Sequence, residues 1–208
     1  SNIRVAPSLS AAASLCSAGC SQPPYAPTAV GEEVFGLLAR TPSELELWSI
    51  DAAGEVTRHG GGFSRAGFDP ETGKLSVARA GDVNGDGFDD LIAGAPLRDN
   101  GETDEGRALV YLGSAGGLSS TASWSVEPNQ AGARFGATVA TAGDVNADGY
   151  ADVIVGAPLQ DNGQTDEGLG YLYLGGPSVS TTSSAVMQTD QNASYLGTSV
   201  AGAGDVNG

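Results

Sequence analysis

Oxygen-bearing side chains recur in one tight pattern at two places in this chain. They are Asp82, Asn84, Asp86 and Asp90, and again Asp144, Asn146, Asp148 and Asp152. Counted from the first Asp they occupy positions 1, 3, 5 and 9, and position 7 (Phe88 or Tyr150) offers a backbone carbonyl. Hard oxygen ligands on alternating positions are what Ca2+ takes, and Gly87 or Gly149 supplies the sharp turn around such an ion. The spacing therefore predicts one Ca2+ per loop. A third copy opens at Ala203 and brings Asp205 and Asn207 before the sequence ends.

Two other readings compete for these residues. An EF-hand needs a bidentate acid at position 12 and a helix after it. Position 12 is Ala93 or Val155, inside an apolar run that leads to a proline, so the EF-hand fails. Asx-turns without metal would use the same side chains, but they leave the repulsion among three acids unanswered.

The remaining inventory is short of catalytic groups. The single histidine, His59, stands beside Gly60-Gly61-Gly62 and reads as a surface loop residue. With one histidine, neither a repeated zinc site nor a histidine-based triad is available. The string "GSAGG" (113–117) lacks the Lys-Ser/Thr of a phosphate loop and reads as a hairpin turn. A second repeated string, "DNGETDEG" (99–106) and "DNGQTDEG" (161–168), holds Asp99, Asp104 and Glu105 and their copies. It could bind a cation or a basic partner, but reads first as a solvated hairpin tip. Trp124, Tyr111, Tyr171 and Tyr173 fall at strand positions and read as packing between sheets rather than as a sugar platform.

What positions the loops is a repeat. Ala80–Gly113 aligns on Ala142–Gly175 without a gap, with 23 identities in 34 positions. Each unit predicts four short strands: 74–80, 89–96, 106–113 and 122–128 in the first, and 134–142, 151–158, 168–175 and 183–190 in the second. Four strands on short connections make one small antiparallel sheet with exposed edges and little core of its own. It must pack on copies of itself, and radial packing gives a β-propeller. The predicted fold class is all-β, with blades of four antiparallel strands. Before the repeats, "EVFGLLAR", "SELELWSI" and "GEVTRHG" predict three further strands.

Phe135-Gly136 opening a first strand, the loop Asp144–Asp152, and Gly156-Ala157-Pro158 closing a second strand together resemble the FG-GAP repeat. That repeat is the blade unit of the integrin alpha-subunit propeller and of related bacterial surface proteins. The first unit has Gly73-Lys74 in place of Phe-Gly but keeps Gly94-Ala95-Pro96; the third has Leu196-Gly197. The expected organisation is a leader over 1–29, an irregular β segment or degenerate blade over 30–70, blades over 71–133 and 134–194, and a blade start over 195–208. The resemblance implies Ca2+ that holds a scaffold rather than touching a partner. It also implies a non-catalytic adhesion or ligand-binding module whose ligand is a protein or glycan. Two alternatives stay open: the accessory propeller of a larger secreted hydrolase, or a structural surface or fibre protein. Closure of a ring would take further blades or further chains.

Composition agrees with a folded, turn-rich β protein. The formal charge is −16, from 25 acidic and 9 basic residues, which repels phosphate backbones and argues against a nucleic-acid partner. No apolar run reaches the roughly 18 residues of a membrane span. The two cysteines, Cys16 and Cys20, have three readings: a small disulfide loop, two inert thiols, or a lipoprotein signal end with Cys20 acylated. In the last, Ser17 stands where a larger apolar residue is usual. The expected location is extracellular or at the cell surface, with a lipid anchor if Cys20 is acylated.

Overall fold

The computed structural model describes the backbone of strands at 28–30, 33–41, 44–50 and 56–64, and residues 75–204 in full. The chain divides into two compact units, Ser1–Gly73 and Lys74–Gly208. No helix occurs among the described residues.

The first unit is one antiparallel meander of β1 (Thr28–Val30), β2 (Glu33–Thr41), β3 (Glu44–Ile50) and β4 (Val56–Ser64), in that order across the sheet. Three of these strands are the expected ones. β1 is an addition that takes Thr28 and Ala29 out of the expected leader, pairing Thr28 with Phe35 and Val30 with Glu33. Three residues are too few to show a period, so the strand exists only through its partner. His59 lies in β4, not in a loop, and Gly60 and Gly61 pair with Leu47 and Glu46 of β3. Glycines read as loop by composition, yet backbone pairing asks nothing of a side chain.

In the second unit the repeats give two sheets. The first holds β5 (Ser76–Gly81), β6 (Asp90–Ala95), β7 (Arg107–Tyr111) and β8 (Trp124–Val126); the second holds β9 (Thr138–Gly143), β10 (Asp152–Ala157), β11 (Leu169–Tyr173) and β12 (Ala185–Met187). In both sheets neighbouring strands are consecutive and antiparallel. Every residue of β6 is buried, as expected of a strand covered on both faces. After Asp90, which opens the strand, its side chains are accordingly small or aliphatic: Leu91, Ile92, Ala93, Gly94 and Ala95.

The sheets pack through residues the repeat sets aside for the purpose. The Val139 N–H donates to Ser76 Oγ at 3.1 Å and so ties β9 to β5. Phe135, 1% exposed, meets the rings of Tyr171 at 5.3 Å and Tyr173 at 6.5 Å. Trp124 of the first sheet meets Tyr173 of the second edge to face at 5.0 Å, and its indole N–H donates to the Ser180 carbonyl. Burial pushes the Tyr171 phenol up to about 12. These aromatics are packing groups between sheets.

Phe135-Gly136 does not open β9; it lies just before that strand and crosses to the preceding repeat. Phe135 bridges Gly106 in parallel, and its N–H donates to the Glu105 carbonyl at 2.9 Å. A Cβ on Gly94 would stand 2.1 Å from the Gly136 carbonyl oxygen. The glycine before Ala95-Pro96 is thus a requirement of backbone approach. Leu196-Gly197 repeats the arrangement on Gly168 and Gly156, where the corresponding distance is 2.0 Å.

Candidate cation loops

Each acidic loop leaves the end of one strand and enters the next beside a break in register, between Arg79 and Gly81 in the first sheet and at Asp152/Val153 in the second. Such a bulge turns the chain out of the sheet and re-aims the residues after it. In the first loop the Asp82 carboxylate accepts from the N–H groups of Gly85 (2.7 Å), Asp86 (3.1 Å) and Gly87 (2.8 Å). Asp86 accepts from the Phe88 N–H at 3.0 Å, and Asn84 Oδ1 accepts from the Asp86 N–H. The second loop repeats this: Asp144 accepts from Asp148 and Gly149, and Asp148 accepts from Tyr150. Gly87 and Gly149 have φ of 88° and 90°, which lets their N–H groups turn back to the first Asp.

The ninth-position acids do something the spacing does not announce. Asp90 is 2% exposed; its carboxylate accepts the Val83 N–H at 2.8 Å on one oxygen and the Gly113 N–H at 2.7 Å on the other. Asp152 is fully buried and accepts from Val145 (2.7 Å) and Gly175 (2.8 Å) in the same way. Each therefore clamps the start of its loop to the end of the third strand of its sheet. Burial raises the Asp90 carboxyl above the ordinary carboxylate value, the two backbone bonds lower it, and the charges of Asp86 and Asp82 raise it again. Asp89, next to it, is exposed and pairs with Arg79.

Among the described residues, no three carboxylates converge on a common point as they stand. Asn84 Nδ2 instead donates to Asp86 Oδ2 at 3.0 Å, and Asn146 Nδ2 to Asp148 Oδ2 at 2.8 Å. The donor set nonetheless suits a hard cation. Every side chain in the set offers oxygen; Asp144, Asn146 and Asp148 are exposed, Asp82 and Asn84 are half-buried with Asp86 exposed, and the first Asp is already oriented by loop N–H groups. The carbonyls of Phe88 and Tyr150 belong to the same loops. Asp205 and Asn207, and both cysteines, lie outside the described residues.

The second repeated string departs from a solvated tip. Its middle is exposed, but Glu105 and Glu167 are fully buried. Asp99 and Asp161 each fold the loop back by accepting an N–H five residues on, from Asp104 and Asp166 at 2.7 Å. That return carries the following glutamate beneath the next repeat, where Glu105 Oε1 accepts the Asn100 N–H at 2.6 Å. The identical Asp-Glu-Gly in both copies was the available signal.

The separated elements described here, the Phe135-Gly136 crossing, the acidic loop and the glycine-bearing second strand, coincide with a known family model. The FG-GAP repeat model matches residues 75–111 and 135–174. The chain carries two FG-GAP repeats. The chain is similar to integrin alpha-PS2 of Drosophila melanogaster, 40% identical over 103 residues (46% of this chain, 7% of that protein). It is also similar to integrin alpha-5 of Xenopus laevis, 34% identical over 139 residues (62% and 13%). Integrin alpha pat-2 of Caenorhabditis elegans is 35% identical over 158 residues (70% and 12%). The chain thus spans 7% to 13% of the length of these relatives. No helix among the described residues is long and apolar enough to cross a membrane.

Proposed function

We propose that this FG-GAP segment is a calcium-stabilised, non-catalytic propeller module working outside the cell in adhesion or ligand binding. The observation that carries the reading is the pair of superimposable loops, each offering three aspartates and an asparagine where the sheets meet. Asp82, Asn84, Asp86, Asp90 and the Phe88 carbonyl would hold one ion; Asp144, Asn146, Asp148, Asp152 and the Tyr150 carbonyl would hold a second. Asp205 and Asn207 would begin a third set. When bound, the ion supplies positive charge that neutralises clustered carboxylates and fixes the loop. The blade divisions at 71–133 and 134–194 follow from the same reading, with 195–208 opening another. The similarity to integrin alpha chains supports a protein ligand and association with further chains.

Calorimetric titration of the chain with Ca2+ tests the reading. Two ions are expected, and Asp148→Ala should remove one of them. Asp161→Ala, in the exposed part of the second repeated string, should remove none. An intact chain that takes up no Ca2+, or equal losses in the two variants, would show the assignment to be wrong.

A further inference from the structure

The two acidic loops touch. The Ala151 N–H donates to the Asp82 carbonyl at 2.9 Å, and the Gly176 N–H donates to the Val83 carbonyl at 2.8 Å. Ala151 sits between Tyr150 and Asp152, the seventh and ninth positions of the second loop. Gly176 follows Gly175, whose N–H holds Asp152 Oδ1. On the other side, Val83 is 1% exposed and its own N–H is held by Asp90 Oδ2. Peptide groups therefore connect Asp90 to Asp152 through Val83 and the Gly175-Gly176 pair. The contact is tight as well as hydrogen-bonded. A Cβ on Gly85 would stand 2.5 Å from the Tyr150 ring, and one on Gly81 would stand 2.6 Å from the Ala151 Cβ.

We infer that the two loops load cations as a linked pair, because the backbone of the first loop fixes the seventh- and ninth-position groups of the second. The inference rests on the proposed Ca2+ reading. An ion that orders Asp82 and Asp90 also orders the Asp82 and Val83 carbonyls, and these hold Ala151 and Gly176 in place. The second loop then pays less ordering entropy for its own ion, which is positive cooperativity. Linkage requires the effect to be reciprocal and equal in both directions. Repulsion between two bound ions acts with the opposite sign and is screened beyond about 8 Å at 0.15 M salt. The sign of the coupling thus separates the two effects.

The test uses the whole chain with Ca2+ as the probe, at 0.15 M KCl. Asp86→Asn disables the first loop without touching the connecting peptides, and Asp148→Asn disables the second. Each should lower the affinity of the surviving loop by about fivefold, by the same factor both ways. In Asp148→Asn, Ca2+ should also slow hydrogen exchange at the Ala151 and Gly176 amides, although their own loop carries no ion. Asn84→Ala, which keeps every carboxylate, replaces Asp86→Asn should that variant not fold. A surviving loop of unchanged or higher affinity, or exchange that slows only when the second loop is loaded, overturns the linkage while leaving the Ca2+ reading intact. Absence of binding in the unaltered chain overturns both.

Discussion

Asp90→Asn separates the clamp from the ligand set, because its main effect should appear without any metal. The Asp90 carboxylate receives one buried backbone N–H on each oxygen, from Val83 at 2.8 Å and Gly113 at 2.7 Å. An asparagine offers one oxygen and one NH2 group. Whichever way the amide turns, one backbone N–H then faces another donor. A hydrogen bond to a charged group contributes about 1.5–3 kcal/mol, and an unsatisfied buried donor costs about 1–3 kcal/mol more. Relief of a carboxylate crowded by Asp82 and Asp86 offsets part of this, so the expected loss is about 2–4 kcal/mol. For a unit of this size each kcal/mol moves the Tm by about 3–5 °C, giving a fall of roughly 6–20 °C. Asp86→Asn is the comparison. Asp86 is exposed and makes contacts only within its loop, so without metal its replacement should change stability by about 0.5 kcal/mol or less. Thermal unfolding followed by circular dichroism in excess chelator measures both. With Ca2+ restored, both variants should fall short of the unaltered chain, since each then lacks a ligand. The reasoning fails if the two variants are equally stable in chelator, or if Asp90→Asn stays within about 1 kcal/mol of the parent.

Other consequences are open to the same methods. Chelation of Ca2+ from about 1 mM should cost about 1.4 kcal/mol per loop if the dissociation constant is near 10⁻⁴ M, with Mg2+ restoring the Tm poorly. Gly94→Ala forces the Gly136 carbonyl away from a Cβ that would stand 2.1 Å from it. It should destabilise by about 1–3 kcal/mol and speed exchange at the Phe135 amide, whereas Gly116→Ala, whose new Cβ would meet only Ser114 Oγ at 3.7 Å, should leave that amide alone. Glu127 is subject to burial, which raises its pKa, but the bonds from Arg107 and Asn100 and the charges of Arg107 and Arg98 prevail and hold it below 4.5. Its contribution is therefore present above the unfolded value and lost as pH falls through the folded one. Glu127→Gln should flatten the acid limb of stability below about pH 4.5, by no more than about 1 kcal/mol for a pair whose side chains are each 20% exposed.

The strand pattern and the positions of the loop oxygens were legible because they are local. Alternating or unbroken apolar runs such as Leu91–Ala95 and Val153–Val155 specify strands within a few residues. The Asp-x-Asn-x-Asp-Gly spacing specifies its oxygens within one loop. Repetition then made the architecture readable, since a small four-stranded sheet needs copies of itself to bury its faces. Tertiary structure decided where those local units meet. Phe135-Gly136 reads as the start of a strand, yet it belongs to the seam, because its partners Gly94 and Gly106 lie 41 and 29 residues earlier in the chain. Glu105 and Glu167 look like members of a charged tip and are buried, because the following repeat closes over them. Asp90 and Asp152 read as ligands alone, but the N–H groups that make them clamps come from Val83 and Gly113, and from Val145 and Gly175. Spacing along a loop reveals which oxygens it owns; only the packed backbone fixes which distant N–H groups already occupy them.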